Sequence, residues 1–462
     1  MSNYFSNAEP ANLLREYPIG DGFERRFEVM SRDELHALQS RRFLRVLERA
    51  WQVPFHARRW RAAGLEPGDV RGLEDIELLP SYGKQDLMDS IEACPPFGDY
   101  HGVPGLGSSA AGGTRVVMQT TSGTTGAPQP LFYGARDREV QNILLARAYL
   151  AQGLTDDDVV HSVYGFGMVN GGHYIREAVL HYTRALLLPA GTGQETRSAQ
   201  QVALMARFGA SVLVGFGDYM MRLAQVAREH GLQPGVDIPL RLIMGHVDHG
   251  LRAQLSQAWG GARVWDWYGV GDTGIVAAEV PGNEGLTLWE DAHHVELLDT
   301  DSDQAVGDGG VGRLCVTCLF KDEVYPIIRF DTQDLSRVLP GAGARLSCMR
   351  RIEGFLGRAD NMVKLRGVNV YPTSIATWLG QVTHCTGEYV CRVRREDGRE
   401  SMQIDIETTL DLPDADAAGK LRERLRAGLG VDVQVHLVAP GATAPYTQLE
   451  QRQKPIRLID ER

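Results

Sequence analysis

Between residues 159 and 268 the chain alternates short apolar runs with helix-length amphipathic stretches, and this alternation limits its fold more than any other feature. Residues 159–164, 186–188, 211–214, 240–244 and 263–268 read as strands. Helical patterns cover 194–208 and 218–230; Gly231 closes the second, and Pro189 ends the strand at 186–188. Strands interleaved with helices of this length indicate a layered α/β domain. Upstream, Ser31-Arg32-Asp33-Glu34 reads as a capping box, opening a helix with apolar positions at Leu35, Leu38, Phe43, Val46 and Leu47. Residues 135–152 read as another helix, stopped by Gly153. From 285 to 339 the period moves towards two, with turn clusters at 299–303 and 308–310, which adds an antiparallel β region to the α/β core.

A smaller unit begins near Leu356. Strand-like runs at 389–394 and 403–407 meet at a turn over 396–398, and a helix at 421–429 precedes an alternating run at 431–438. That is an α+β domain of about a hundred residues. The expected division is a large N-terminal layered α/β domain, 1–356, and a small α+β C-terminal domain, 357–462. A chain of 462 residues exceeds one ordinary core, which agrees with two domains.

Composition removes several function classes. A formal net charge of −11, with no basic stripe, argues against a nucleic-acid or anionic-membrane partner. No apolar run approaches the length of a membrane span. The start, Met1-Ser2-Asn3-Tyr4-Phe5, lacks the basic and apolar regions of a secretory signal, and six cysteines without framework spacing point to a reducing cytoplasm.

Chemistry concentrates in a few motifs. Thr120-Thr121-Ser122-Gly123-Thr124-Thr125-Gly126-Ala127-Pro128 gathers hydroxyls and glycines after the apolar run 116–118. Such a loop turns backbone N–H groups and short hydroxyls towards one anion, and glycine lets the backbone come close. Taken alone it reads equally as a solvated turn, and it is not a Walker loop, since no Gly-Lys-Ser/Thr follows. Tyr268-Gly269-Val270-Gly271-Asp272-Thr273-Gly274 carries the dinucleotide glycine spacing, but Pro281-Gly282 would cut short the helix that a Rossmann unit needs after it. Cys315 and Cys318 fall three apart in a strand, on opposite faces, so the pair does not chelate, and Cys348 lies downstream without completing a set. His246-Val247-Asp248-His249 lacks a ligand spacing, and no Gly-x-Ser-x-Gly elbow occurs.

In order along the chain, the hydroxyl-rich loop, the Tyr268–Gly274 segment, Arg329-Phe330-Asp331-Thr332-Gln333-Asp334, Gly357-Arg358-Ala359-Asp360 and the terminal Gln453-Lys454-Pro455-Ile456-Arg457 resemble the motifs of the adenylate-forming superfamily. Tyr164-Gly165-Phe166-Gly167, Gly285-Leu286 to Trp289-Glu290-Asp291, and Arg366-Gly367-Val368-Asn369-Val370-Tyr371-Pro372 resemble its phenylacetate–CoA ligase branch. So does the leading segment 51–89, with Leu79-Pro80 and Lys84-Gln85-Asp86-Leu87.

The resemblance implies a large nucleotide-binding domain, a mobile C-terminal domain, and ATP, Mg²⁺ and coenzyme A as cofactors. By the same resemblance Thr121, Ser122, Gly123, Thr124, Thr125 and Gly126 cradle phosphate. Asp266, Tyr268, Gly269, Asp334 and Arg358 contact the nucleotide, and Asp272 with Thr125 holds the metal. Lys454 is the catalytic lysine, Asp360 the hinge, and Arg366 and Gly367 line the thiol side. Tyr164, Phe166, Gly167, Val169, Gly245, His246 and Tyr268 belong to the acid side.

Four departures stand out: Asp272 where the family has Glu, Gln453 for a Gly, Gly245-His246-Val247-Asp248 for Gly-Ala-Glu-Pro, and Val169 for an aromatic residue. The last two, through His246 and Val169, point away from phenylacetate towards a substituted or heteroaromatic acid. Three functions stay open at this point. The chain is an acid–CoA ligase, an adenylating enzyme serving a carrier-protein thiol or an amine, or a non-catalytic binding homologue. A homodimer is also open. Some members of the branch carry a cysteine-based zinc site, for which the sequence offers no adequate ligand set.

Overall fold

The computed structural model describes residues 4–106, 115–121, 128–247, 250–307, 309–360, 363–365, 368–379, 382, 384–396, 399–449 and 455–462. The fold is mixed α/β, and the chain divides into two compact units. The first is Met1–Asp156, Phe166–Ala185 and Trp267–Phe355; the second is Asp157–Gly165, Leu186–Asp266 and Leu356–Arg462. Among the described residues no helix is long and apolar enough to cross a membrane.

Unit one begins with three short helices that local pattern did not reveal, Tyr4–Ala8, Pro10–Glu16 and Gly20–Glu28. The capping box then forms as read: Ser31 N donates to Glu34 Oε2 at 2.8 Å, Glu34 N donates to Ser31 Oγ at 3.2 Å, and the helix runs Arg32–Trp51. The helix Ala135–Ala151 is buried almost all round, carrying Asp137, Arg138, Glu139 and Arg147 inward with its apolar residues. A buried charge needs a partner, and these find theirs far away in sequence. Arg147 forks onto Asp291 at 2.8 and 3.0 Å and donates to the Pro18 carbonyl at 3.0 Å. Glu139 accepts the Tyr4 hydroxyl at 2.8 Å and the Tyr182 hydroxyl at 2.5 Å, with His181 Nδ1 at 3.1 Å.

The antiparallel region of unit one follows the period-two stretch. Trp267–Val270 pairs with Gly274–Glu279, which pairs with Leu286–Leu288 and through it with Arg351–Ile352. The segment after Gly274 is therefore a strand, where the sequence reading considered only a short helix. Gly269 permits that tight return, since a Cβ there would sit 2.2 Å from the Gly274 carbonyl oxygen. A reversed strand in that place excludes the dinucleotide-binding unit, which needs a helix. His293–Leu298, Val311–Cys318 and Phe330–Arg337 form a second antiparallel sheet.

In unit two Arg263–Asp266, Leu242–His246, Val212–Phe216, Val159–Ser162 and Leu186–Pro189 lie side by side in parallel, in that order. Helices Ser198–Phe208, Gly217–Glu229 and Arg252–Ala258 connect them. The continuous apolar strands fit a sheet covered on both faces. Beyond Leu356, Gln434–Val438, Arg399–Thr408, Cys385–Glu396 and Leu458–Asp460 make a four-stranded sheet against the helix Ala415–Leu429, with an apolar core of its own that includes Val393, Ile404, Leu421 and Leu425.

Candidate active site

Each unit contributes a separate set of the residues singled out by sequence. In unit one, Val116–Thr120 and Pro130–Gly134 form an antiparallel hairpin whose connection is the hydroxyl-rich loop. Its neck is closed by two hydrogen bonds, Thr121 N to Gln129 O at 3.0 Å and Gln129 N to Thr121 Oγ1 at 3.2 Å. Thr120 N donates to Met168 O at 2.7 Å, and Thr120 bridges to Val169, so Gly167 and Val169 run beside that neck. Ser122, Gly123, Thr124, Thr125 and Gly126 lie outside the described residues, as do Lys454, Arg366 and Gly367.

Asp272 meets that hairpin. Gln129 Nε2 donates to Asp272 Oδ1 at 2.8 Å, and the Tyr325 hydroxyl donates to the same oxygen at 3.2 Å. Lys321 Nζ donates to the Asp272 backbone carbonyl at 3.0 Å, and the Tyr133 hydroxyl donates to Gly271 O at 2.8 Å. Burial pushes the Asp272 carboxyl up from its ordinary value and the Lys321 ammonium down. Nearby, burial raises Asp137 to about 7, against the pull of Lys321. Gln129, Lys321 and Tyr325 were not visible to sequence reasoning as site residues. Only Gln129 carried a signal, by directly following the loop.

The bonds from Gln129 and Tyr325 both fall on Oδ1 of Asp272. Among the described residues no group of three or more His, Cys, Asp and Glu comes together. A single carboxylate is the kind of protein ligand with which Mg²⁺ is commonly held beside substrate phosphates.

Tyr268 and Asp334 form one pair. The Tyr268 hydroxyl donates to Asp334 Oδ2 at 2.8 Å and lies 3.2 Å from Thr332 Oγ1, and both side chains are buried. The phenol thereby orients the carboxylate.

In unit two the other set gathers at the carboxyl ends of parallel strands, where α/β sheets take ligands. Phe216 and His246 are register partners on neighbouring strands, and their rings stack at 5.0 Å with 26° between planes. The Tyr164 ring lies 4.9 Å from that of Phe216 and 6.3 Å from that of His246, and its hydroxyl donates to Gly215 O at 3.3 Å. Phe216 was missed by sequence because an aromatic residue ending a strand reads as core. Gly245 tolerates no side chain, since a Cβ would lie 1.8 Å from the Gly215 carbonyl oxygen. Asp266 Oδ1 accepts the Val247 N–H at 3.2 Å, one residue beyond His246. Arg358 forks onto Asp360 at 2.7 and 2.5 Å, so the expected nucleotide contact and the expected hinge are paired with each other.

Comparison with known proteins agrees with these motifs. Residues 367–462 match the family model of the AMP-binding enzyme C-terminal domain. The chain is 31% identical to the phenylacetate-coenzyme A ligase of Pseudomonas putida over 432 residues, covering 90% of this chain and 92% of that one. A solved 2-hydroxyisobutyryl-CoA ligase in the postadenylation state, in complex with R3-HIB-AMP, superposes with a TM-score of 0.81 at 26% identity, covering 97% of this chain and 92% of that one. Such a ligase with 2-HIB-AMP and CoA in the thioesterification state gives 0.68 at 28% identity, covering 95% and 92%. With a relative of this identity matched over nearly its whole length, the chain belongs to the phenylacetate–coenzyme A ligase family of adenylate-forming enzymes.

Proposed function

We propose that this chain is an AMP-forming ligase that activates a small carboxylic acid with ATP and passes the acyl group to the thiol of coenzyme A. In the first half-reaction a carboxylate oxygen bonds to the α-phosphorus of ATP, and the bond from that phosphorus to the bridging oxygen breaks, releasing pyrophosphate. In the second, the thiol sulfur bonds to the acyl carbon, AMP leaves with the shared oxygen, and the thiol proton passes to solvent. The first step joins two anions, so the protein's part is alignment and charge neutralisation.

The observation that carries this reading is the hydrogen bond from Gln129 to Asp272, which ties the neck of the hydroxyl-rich loop to the acidic segment. In this reading Thr121 and the loop beyond it hold phosphate, Asp334 takes the ribose hydroxyls and the Tyr268 ring lies by the adenine. Mg²⁺, held by Asp272 and Thr125, would supply charge neutralisation at the phosphates. Lys454 meets the acid and the α-phosphate in the first step. The domain 357–462 then turns about Asp360, and Arg366 and Gly367 come to the thiol side. The stacked Phe216 and His246 rings support an acid with a flat or branched body and a polar substituent that His246 can meet. The six free cysteines support a reducing compartment, the cytoplasm. A homodimer is the assembly to test.

The experiment is pyrophosphate release across aryl, heteroaryl and short hydroxylated acids, with and without coenzyme A, followed by mass spectrometry of the products. Acid-dependent pyrophosphate and an acyl-CoA product are expected. Pyrophosphate without acyl-CoA would assign a carrier-protein thiol or an amine as acceptor. No pyrophosphate with any acid would make the chain a binding homologue.

A further inference from the structure

Arg457 follows Lys454 by three residues, and its side chain is buried and fixed from several directions. Nη1 donates to Glu388 Oε2 at 2.8 Å and to the Tyr389 carbonyl at 2.9 Å, while Nη2 donates to Glu388 Oε1 at 3.2 Å. The guanidinium also lies 4.6 Å from the Tyr389 ring centroid. All of these partners belong to the stretch beyond Leu356. One further contact does not: Arg457 Nη2 is 2.9 Å from Oδ2 of Asp218, in the first turn of the helix Gly217–Glu229. On the other side of Lys454, Leu449 is buried in the apolar cluster that includes Tyr219, Met220 and Leu223 of that same helix. The chain is thus fastened beside one helix at 449 and at 457. That helix begins directly after Phe216, whose ring stacks on His246.

We propose that Asp218 is a positioning residue for the adenylation half-reaction: its ion pair with Arg457 latches the terminal segment to the helix that follows the acid-side rings. This rests on the ligase reading above. When the domain 357–462 turns, the bonds of Arg457 to Glu388 and Tyr389 travel with it, because all three residues lie in the moving part. Asp218 stays behind, so its bond is the one made in one state and broken in the other. A contact of that kind biases a two-state equilibrium by its differential energy. Lys454 acts in the first half-reaction in the reading above, and Arg457 lies three residues after it, which assigns the latch to the adenylation side. An Arg held by two carboxylates is also well suited to the purpose. Losing Asp218 leaves it paired with Glu388, so the turn strands no buried charge.

The test compares wild type with Asp218→Asn and Asp218→Ala in two assays: acid-dependent ATP–pyrophosphate exchange, and thioester formation from purified acyl-adenylate and coenzyme A. Exchange should fall about 5- to 150-fold, the usual range for loss of a coupling contact, while thioester formation is unchanged or faster. Equal losses in both, no loss in either, or a greater loss of thioester formation would overturn the latch. Hydrogen–deuterium exchange provides a readout that needs no turnover. Peptides spanning 444–460 should exchange faster in Asp218→Asn, with those of the Ala135–Ala151 helix unchanged. Unaltered exchange at 444–460 would overturn the proposal. Wild type lacking pyrophosphate exchange with every acid would instead overturn the ligase reading, leaving the latch to be judged on deuterium uptake alone.

Discussion

Replacing Asp272 by Asn should separate stability from catalysis. The side chain is 4% exposed and receives Gln129 and Tyr325 on a single oxygen. Asn has nearly the same shape, and its carbonyl oxygen accepts both bonds, so packing survives. Burial raises the folded-state pKa of Asp272 above the unfolded value. For a raised carboxyl, the stability contribution is greatest below the unfolded value and is lost as pH rises through the folded one. At neutral pH the ionised carboxylate therefore costs stability, and Asn removes that cost. Lys321 keeps Asp137 as a counter-charge, so no ammonium is stranded. The variant should unfold in urea at neutral pH within about 1 kcal/mol of wild type, or above it. Adenylation is a different matter, because loss of one charge contact in the transition state costs about 3–4 kcal/mol, a hundredfold or more in rate. The Mg²⁺ concentration needed for half-maximal pyrophosphate release should rise with it. Asp272→Glu keeps the charge but adds a methylene to a buried position, so it should lose about 1–3 kcal/mol of stability and retain more activity than Asn. A loss of more than about 2 kcal/mol in the Asn variant would refute this reasoning, because the carboxylate would then be holding the fold. Unchanged Mg²⁺ dependence would refute the metal role.

Lys454→Ala should abolish acyl-adenylate formation yet spare thioester formation from preformed acyl-adenylate; equal loss in both half-reactions would refute the assignment. His246→Ala should shift kcat/KM towards plainer arylacetic acids, and Val169→Phe should penalise bulkier ones, each by roughly tenfold to two-hundredfold. A uniform slowing of all acids would refute a role in selectivity. The Glu139 hydrogen bond raises the His181 pKa, so its stabilisation is full below the unfolded value, about 6.5, and is lost as pH rises through the folded one. His181→Gln should flatten the fall of stability from about pH 6 to pH 8 in urea unfolding, and an unchanged slope would refute that pairing in solution.

The parallel strands of unit two were legible because buried strands are short, apolar and bounded by turns. Their ends still moved by a residue or two, as with 240–244, which forms Leu242–His246. The capping box was legible because its bonds are local. What escaped was non-local or ambiguous. The first three helices are short, with Pro10 and Gly20 opening two of them, and tertiary partners such as Glu139 secure them. The segment after Gly274 became a strand because Trp267–Val270 offered it an edge. Gln129 reaches Asp272 across 143 residues of sequence, and Arg457 meets Asp218 across a still longer separation, so no local window connects them. Motif order marked candidate regions; the groups that hold Asp272 and Arg457 in place had to come from the fold.

The helix Ala135–Ala151 bears on how unit one assembles. Its inward charges are satisfied by Tyr4, Pro18, Glu177, Tyr182 and Asp291, which enter from both sides of it along the chain. Until those segments arrive, the helix carries polar groups that an apolar surrounding would reject. The unit therefore gains little from partial assembly. Its N-terminal helices, helix 170–182 and the Asp291 turn must close around this helix nearly together, and each is correspondingly hard to release alone. Such closure depends on distant pairings, the kind that make folding slow and cooperative. Asp272, Tyr268 and Asp334 thus stand on a frame that opens as a whole or hardly at all.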